Sequence, residues 1–238
     1  MKIAMWSGPR NLSTAMMYSF AARADCAVVD EPFYAAYLDR TGIDHPMRAE
    51  TMASQSLDVD SIAAGLIGTN PAQKRHYYQK HMTQHMVQGI PRDWMAGVTN
   101  VFLIRHPARV VASFAKKYPD VTEADIGFVQ QLEIYDHILS LGQQPVVIDS
   151  NDIRENPEVA LKKLCQSIGI EWDASMLSWK KGGHSADGVW AAHWYDAVHN
   201  SDGFSSAEGP LPKLKGRLAD LVESVLPAYQ KLAARKLT

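Results

Sequence analysis

Residues 2–14, KIAMWSGPRNLST, decide the fold class that we expect for this chain. Apolar side chains dominate residues 2–6, and the cluster Ser-Gly-Pro at 7–9 then breaks the run, as at the end of a short strand. The residues that follow predict a helix from Ser13 to Arg23. A strand, a tight loop and a helix in this order form the repeating unit of a parallel α/β sheet.

Short β-branched runs alternate with longer amphipathic segments along the rest of the chain. The run NVFLI at residues 100–104 is apolar apart from Asn100, which is typical of a strand buried on both faces of a sheet. Further strands are predicted at residues 27–29, 76–81 and 145–148. We therefore predict an α/β fold with a central parallel β-sheet flanked by helices. Because no linker divides the chain, residues 1–238 are predicted to form a single domain.

Capping residues indicate where several helices begin. Asp58 and Asn156 are suitable N-caps, and Thr122 with Asp125 gives a variant of the capping box. Residues 180–212 are rich in Gly, Ser and His and are predicted to form a long loop. Helices are predicted at residues 58–67, 107–117, 122–141 and 156–169, and the last segment, 213–236, is predicted to be a helix interrupted at Pro227.

The composition excludes several classes of protein. Of 238 residues, 46% are hydrophobic and 21% are charged, which suits a globular domain and excludes disordered, collagenous and disulfide-scaffold proteins. The formal net charge of −2 provides no bulk positive charge for nucleic acid, so any anion site must be local. Cys26 and Cys165 offer neither a metal-ligand spacing nor a disulfide framework. The apolar runs are too short for a secretory signal or a membrane span, so we expect a cytoplasmic protein without membrane partners.

The loop after the first strand has the outline of an anion site. Free N–H groups at the start of a helix attract anions, and the helix dipole adds to this attraction. Arg10 supplies a cation there, and Ser13 and Thr14 supply hydroxyl donors. The Gly-Lys-Ser/Thr ending of a Walker sequence is absent. The same residues are also compatible with an ordinary β–α turn that carries an exposed arginine.

A second candidate anion site follows the strand at residues 100–104. Arg105 stands at the carboxyl end of that strand, where ligands bind in open α/β sheets. Ser113 lies two turns into the next helix and can face back towards Arg105. A guanidinium and a hydroxyl together suit a terminal phosphate monoester. Alternatively, Arg105 covers a sheet edge and Ser113 is a small packing residue.

Together the two loops resemble those of the sulfotransferase family that uses 3′-phosphoadenosine 5′-phosphosulfate (PAPS). Residues 9–15, PRNLSTA, stand where that family has Pro-Lys-Ser-Gly-Thr-Thr-Trp, which holds the 5′-phosphosulfate. Arg105 and Ser113 resemble the family's Arg-Asn-Pro motif, in which a Ser eight residues after the Arg also contacts the 3′-phosphate. Residues 146–157 are similar to the family's next strand with its Glu-Asp-Leu and Asp-Pro steps. Residues 180–190 are similar to its late Arg-Lys-Gly loop and Gly-Asp-Trp.

The resemblance implies a P-loop nucleotide-binding fold and a divergent, bacterial-type member of that family. It implies transfer of a sulfuryl group from PAPS to a hydroxyl or an amine of a small-molecule acceptor, with 3′-phosphoadenosine 5′-phosphate (PAP) as product. Several positions depart from the family's motifs: Arg10 replaces Lys, Leu12 replaces Gly, Ala15 replaces Trp, His106 replaces Asn, and Arg109 stands where Asp is common. The donor contacts that the resemblance implies come from Arg10, Asn11, Leu12, Ser13, Thr14, Arg105, Ser113, Lys180, Lys181 and Gly182.

Sulfuryl transfer needs a cation on the leaving phosphate, an in-line acceptor and a base for the acceptor's proton. The sulfuryl group carries less charge than a phosphoryl group, so we expect no metal. Arg10 is the candidate cation. The alternatives are a P-loop phosphotransferase that uses ATP and a non-catalytic relative that binds the nucleotide.

Three residues are candidates for the base. Cytosolic sulfotransferases end a strand in Lys-Thr-His and use that His, and here Lys80 and His81 end a predicted strand, so both count among the catalytic candidates. His85 would share a face with His81 if the segment turns helical. Glu31 follows the strand at residues 27–29, and polysaccharide sulfotransferases use a Glu as base; it could instead be a helix cap.

The His-rich loop has two open interpretations. Its aromatic residues could form one wall of an acceptor pocket, or they could anchor the loop to the domain. His193 and His199 do not have a recognised metal spacing. The residues concerned are Trp190, His193, Trp194, Tyr195 and His199 in the loop, and Tyr34, Tyr37, His45 and Met47 as a possible facing wall.

Overall fold

The computed structural model describes residues 1–70 and 73–238. Its strands are Lys2–Ser7 (β1), Cys26–Asp30 (β2), His76–Met82 (β3), Thr99–Ile104 (β4) and Val146–Asp149 (β5). They form a five-stranded sheet in the order β2-β3-β1-β4-β5, and every neighbouring pair is parallel. The predicted α/β class is therefore confirmed, and each predicted strand is found at nearly its expected bounds.

Helices cover both faces of the sheet. In chain order they begin with Ser13–Ala21 (α1), Tyr34–Thr41 (α2), Arg48–Ser54 (α3), Val59–Ile67 (α4), Pro107–Phe114 (α5), Glu123–Ile126 (α6), Phe128–Ser140 (α7), Ser150–Glu155 (α8) and Pro157–Ile168 (α9). Two single turns follow, Ala191–Trp194 (α10) and Asp196–His199 (α11), before the last helix, Arg217–Ala233 (α12). Short 3₁₀ turns lie at Thr83–His85, Asp93–Gly97 and Ala174–Leu177. Over residues 1–70 and 73–238, no helix is long and apolar enough to cross a membrane.

Side chains of the strands alternate between two cores. Ile3 and Met5 of β1 pack with α1 and α9 on one face of the sheet. Ala4 and Trp6 pack with α4 and α7 on the other face. This alternation is the period-two geometry of a strand, and it explains why the central strands are apolar throughout.

The strand order places two loops side by side. Strand β3 lies on one side of β1, and the next strand along the chain, β4, lies on the other side, so the strand order changes direction between β1 and β4. The loops that follow β1 and β4 meet at this point of the sheet. In open α/β sheets, this crevice at the carboxyl ends of the strands is where ligands bind. Both candidate anion loops of the sequence are therefore at this edge.

Gly127 corrects the single helix predicted over residues 122–141. The predicted capping box of Thr122 and Asp125 is present and starts α6, but the chain turns at Gly127 before α7 begins. Gly127 has a φ of 67°, which glycine adopts without the steric cost of a side chain. A Cβ there would meet Thr83 Oγ1 at 2.8 Å, so the break allows α7 to approach the end of β3.

Two predictions for the carboxyl-terminal third were also wrong. Residues 180–212 are not loop throughout, because α10 and α11 form within them. Helix α12 continues through Pro227 instead of being interrupted there. Pro227 removes one N–H and leaves the carbonyl of Glu223 without its helix partner. Both residues are exposed, so water can donate to that carbonyl.

Candidate active site at the carboxyl ends of the strands

The loop between β1 and α1 has the backbone of an anion cradle. Arg10 and Leu12 both have positive φ values, 61° and 71°. Residues of this kind turn successive N–H groups towards one side, as in anion-binding nests. Leu12 precedes the first turn of α1, whose N–H groups lack helical partners.

A cavity of about 270 Å³ opens at this loop. It extends from the end of β1 to the ends of β2 and β3, and it also contacts the start of α8. The predicted donor and catalytic residues that line it are Arg10, Asn11, Leu12, Ser13, Thr14, Glu31, Lys80, His85 and Arg105.

Hydrogen bonds join the two predicted anion loops. Arg10 Nε donates to Ser113 Oγ at 2.9 Å, and Arg105 Nη1 donates to the carbonyl of Arg10. Asn11 Nδ2 donates to the carbonyl of Leu103 at 3.3 Å, which ties the first loop to β4. Burial and the charge of Arg105 lower the pKa of Arg10. The loops after β1 and β4 are therefore joined, and Arg10 and Arg105 both line the cavity, whereas Ser113 lies behind Arg10 and does not line it.

Three arginines converge on one carboxylate beside these loops. Glu208 Oε2 accepts from Arg105 Nε at 3.2 Å, and Glu208 Oε1 lies 2.8 Å from Arg154 Nη1. Arg109 Nε lies 3.4 Å from Glu208 Oε2. Neither Arg154 nor Glu208 was predicted from the sequence. Arg154 follows β5, so the strand-end argument that found Arg105 could have found it too.

A buried ion cluster lies at the opposite end of the cavity. Lys80 Nζ, on a side chain that is 1% exposed, donates to Asp30 Oδ1 at 2.9 Å and to Glu31 Oε1. It also donates to the hydroxyl of Tyr195 at 2.8 Å. Burial alone would lower the pKa of Lys80, but the charges of Asp30 and Glu31 outweigh it and raise the pKa. The ammonium group is therefore charged and fixed between two carboxylates.

Glu31 combines strain with access to the cavity. Its φ is 41°, which is costly for a residue with a Cβ and is often found at functional positions. It is 7% exposed and lines the cavity. Its Oε2 lies 3.8 Å from Nε2 of His85. Lys80 therefore binds the Oε1 atom of Glu31, and the Oε2 atom faces His85.

His85 is a neutral, stacked imidazole. Its ring lies between those of Tyr34 and Tyr37, with centroids 4.5 and 4.7 Å away. Burial, followed by the charge of Lys80, lowers the pKa of His85 well below its usual range. The 3₁₀ turn Thr83–His85 points this ring into the cavity.

His81 is not in the place expected of a base. Successive residues of a strand face opposite ways, so His81 lies on the other side of β3 from Lys80. Its ring stacks on Trp6 at 4.5 Å and contacts Trp94 at 5.1 Å. It is absent from the cavity lining, and burial lowers its pKa to about 3. The expectation for His81 is therefore corrected to an aromatic packing role.

The loop at residues 180–182 also lies elsewhere than expected. The amide of Gly182 donates to the carbonyl of His199 at 2.7 Å, which ties the loop to the end of α11. Lys181 pairs at 3.5 Å with Asp202, and both side chains are exposed. Lys180 is exposed as well. In this structure none of these three residues lines the cavity beside Arg105.

The aromatic residues of the loop divide between the cavity and the core of the domain. Trp194 and Tyr195 line the cavity, as do Tyr34 and Tyr37. Trp190 is buried instead, and its Nε1 donates to the hydroxyl of Tyr195 at 3.1 Å. Within residues 1–70 and 73–238, no cluster of His, Cys, Asp and Glu could hold a metal ion.

Comparison with known proteins identifies the family. Residues 1–236 match the family model described as a sulfotransferase domain. The chain belongs to this family. Its cavity therefore lies in a sulfotransferase domain, and the resemblance to sulfotransferases, drawn from four motifs in matching order, is confirmed.

Two curated relatives come from Arabidopsis thaliana. They are named branched-chain-amino-acid aminotransferase-like proteins 2 and 1, and they are 36% and 38% identical over 227 residues. The match covers 95% of this chain but 40% of each relative. This sulfotransferase domain thus spans about two fifths of the length of the relatives it matches.

Solved sulfotransferases share the fold. The sulfotransferase domain from the curacin biosynthetic pathway is 17% identical, with a TM-score of 0.57 over 94% of this chain and 96% of that one. A sulfotransferase from Alicyclobacillus acidocaldarius is 11% identical, with a TM-score of 0.59 over 99% and 96%. At such identities the likeness concerns the fold alone.

Proposed function

We propose that this domain transfers a sulfuryl group from PAPS to a hydroxyl or an amine of a small-molecule acceptor. One observation carries the proposal. The hydrogen bond between Arg10 and Ser113 joins the loops after β1 and β4 into one cationic surface, and the cavity that starts there ends at Glu31. A donor at the cationic end and a base at the acidic end are the two requirements of the reaction.

The residues at the cationic end suit the donor. The cradle at Arg10 and Leu12 offers backbone N–H groups, and Arg10 can stabilise charge that develops on the leaving phosphate. Arg105 and Ser113 would hold the 3′-phosphate. Asn11 Oδ1 is buried and has no hydrogen-bond partner among the described residues. PAPS supplies the sulfuryl group when bound.

Glu31 is the base in this proposal. It lines the cavity, whereas Asp30 is 3% exposed and is bonded to Lys80 and Tyr195. The ammonium of Lys80 fixes one oxygen of Glu31 and leaves the other for the acceptor's proton. His85 stays neutral and acts as a flat wall that positions the acceptor.

The acceptor side is mainly aromatic. Tyr34, Tyr37 and Trp194 line the cavity with Phe114 and Ile43, so a compact acceptor with an apolar face fits best.

The chain has two free, buried cysteines. The proposal keeps the cytoplasmic location predicted from the sequence.

The proposal is tested with PAPS labelled on sulfur and a panel of phenols, alkanols and amines. Glu31→Gln keeps the shape of the side chain but removes the base, and we expect the transfer rate to fall by about 10²–10⁴-fold. Glu50→Gln on α3 is the matched control, because Glu50 is exposed and does not line the cavity. No transfer by the wild-type protein to any acceptor would contradict the proposed reaction. Full activity of Glu31→Gln would contradict the base.

A further inference from the structure

Glu208 is placed among more positive charge than it can neutralise. Its carboxylate contacts Arg105, Arg109 and Arg154, and all four side chains are less than one fifth exposed. Three guanidinium groups and one carboxylate leave two positive charges. Burial would raise the pKa of Glu208, but its bonds to Arg105 and the nearby charges outweigh burial and lower the pKa. Glu208 is therefore ionised at neutral pH.

The cluster has the charge of a phosphate monoester site. A monoester carries between one and two negative charges near neutral pH and offers three oxygens. Guanidinium groups bind such groups through paired N–H donors. Arg105 and Arg154 also line the cavity, so a ligand in the cavity can reach them. Burial lowers the pKa of Arg154, the charge of Glu208 opposes this shift, and repulsion by Arg105 and Arg109 adds to it.

Glu208 lies on a segment that the arginines hold in place. We define the Glu208 segment as residues 204–214, which contain neither helix nor strand. Glu208 points inwards, whereas residues 205–207 and 209–211 are exposed. Arg109 Nη2 donates to the carbonyl of Gly209 at 2.5 Å. The ends are fixed differently, because Phe204 packs on Trp179 and Leu214 packs in the core around α5 and α12.

We propose that Glu208 is an internal competitor for the phosphate subsite formed by Arg105, Arg109 and Arg154. In the free protein its carboxylate takes the position of a phosphate group. A nucleotide with a 3′-phosphate displaces the carboxylate and the middle of the Glu208 segment, while both ends of the segment stay packed. Arg154 is then a residue that selects for the second phosphate. The inference depends on PAPS as the proposed donor. It adds to that proposal that the Glu208 carboxylate must leave the subsite when the 3′-phosphate binds.

The proposal predicts a gain of affinity from a single substitution. Glu208→Gln keeps the size of the side chain and removes the competing charge. By calorimetry we expect this variant to bind PAP, which is adenosine 3′,5′-bisphosphate, about tenfold more tightly than the wild type does. Adenosine 5′-monophosphate lacks the 3′-phosphate, so its affinity should change less than twofold. Asp202→Asn is the matched control, because Asp202 lies just before the same segment and pairs with an exposed lysine.

Arg154→Gln tests the other half of the subsite. It should weaken binding of the bisphosphate at least tenfold and that of the monophosphate less than twofold. Hydrogen exchange provides a readout that does not depend on either substitution. The amides of residues 205–209 and of Leu211 should exchange faster when the bisphosphate is bound to the wild type.

The outcomes separate this inference from the proposed function. If the wild type binds the bisphosphate and Glu208→Gln binds it equally or more weakly, the competitor role is wrong and the proposed donor stands. Unchanged affinity in Arg154→Gln would remove that residue from the subsite. If neither protein binds the bisphosphate, the donor and the inference both fail. Glu208→Asp, which keeps the charge on a shorter side chain, should give an intermediate gain and serves if Glu208→Gln does not fold.

Discussion

Tyr195 links the aromatic loop to the buried ions. Its hydroxyl donates to Asp30 Oδ2 at 2.7 Å and accepts from Lys80 and Trp190. It thereby shares one hydrogen-bond network with Glu31, since Lys80 holds both. Tyr195 is a positioning residue in the proposed reaction, because it acts on Glu31 through Lys80.

The substitution Tyr195→Phe should lower the free energy of unfolding by about 1–3 kcal/mol. The reason is that the buried Nε1 of Trp190 would lose its acceptor, and Asp30, which keeps its bonds to Lys80 and to the amide of Gly188, would lose one donor. Urea unfolding followed by circular dichroism measures the change. Tyr77→Phe is the control, because the ring of Tyr77 is also buried but its hydroxyl is outside this network. Equal losses in the two variants would show that the network adds nothing.

Single residues show how far sequence reasoning reaches. Arg10, Arg105 and Glu31 could be predicted because each follows a strand, and strand ends of a parallel sheet share one edge. The choice between His81 and His85 could not be made, because it depends on which face of β3 turns towards the cavity. That face is set by packing on Trp6, which is far away in sequence. Glu208 lies on an irregular segment, and nothing local in its sequence predicts three arginine partners.

At the scale of elements, Gly127 determines how α6 and α7 meet. Substitution of Gly127 by Ala should lower the free energy of unfolding for two separable reasons. A positive φ costs roughly 1–2 kcal/mol for a residue with a Cβ. A clash with Thr83 adds about 1–3 kcal/mol, as in overpacked cores.

Gly142 provides the matched control for this prediction. It also has a positive φ, 79°, but a Cβ there meets nothing within 4 Å. We expect Gly142→Ala to show the backbone cost alone, and Gly127→Ala to exceed it in urea unfolding. If both lose the same stability, the contact between Gly127 and Thr83 is unimportant.

Strands and helices were easier to predict from the sequence than the residues at which a helix breaks. Strands were found because apolar runs flanked by turn residues are a local pattern. The break at Gly127 was missed because the amphipathic pattern continues from α6 into α7, and a single glycine inside it is ambiguous. The single turns α10 and α11 form where Trp190 and Tyr195 become buried, so their stability comes from tertiary packing, which composition does not reveal.

For the whole molecule, the strand order explains how a nearly neutral chain can gather positive charge around one cavity. The net charge is −2, yet Arg10, Arg105 and Arg154 line one cavity. Their residue numbers are far apart, and the parallel sheet brings them together because each follows the carboxyl end of a strand. Glu31 follows β2 at the same edge, and β3 lies between β2 and β1, so the strand order separates the proposed base from the arginines.

The convergence of the three arginines leads to a prediction for the stability of the folded chain. PAP should bind the native chain and not the unfolded one, because the arginines converge only on the folded sheet. At a concentration one hundred times its dissociation constant, a ligand adds about 2.7 kcal/mol to the free energy of unfolding. For a domain of this size, that raises Tm by about 5–10 °C. Differential scanning calorimetry with PAP, and with ATP and Mg²⁺, measures the shift.

The pattern of shifts distinguishes the proposed donor from ATP. We expect PAP to raise Tm equally with and without EDTA, and Arg105→Ala to lose most of the shift. Arg75→Ala is the matched control, because Arg75 is exposed and lies before β3, at the amino ends of the strands. A larger shift with ATP and Mg²⁺ than with PAP would favour phosphoryl transfer instead. Because hydrogen bonds join the loops after β1 and β4, Arg10→Ala should reduce the same shift, although Arg10 and Arg105 are 95 residues apart.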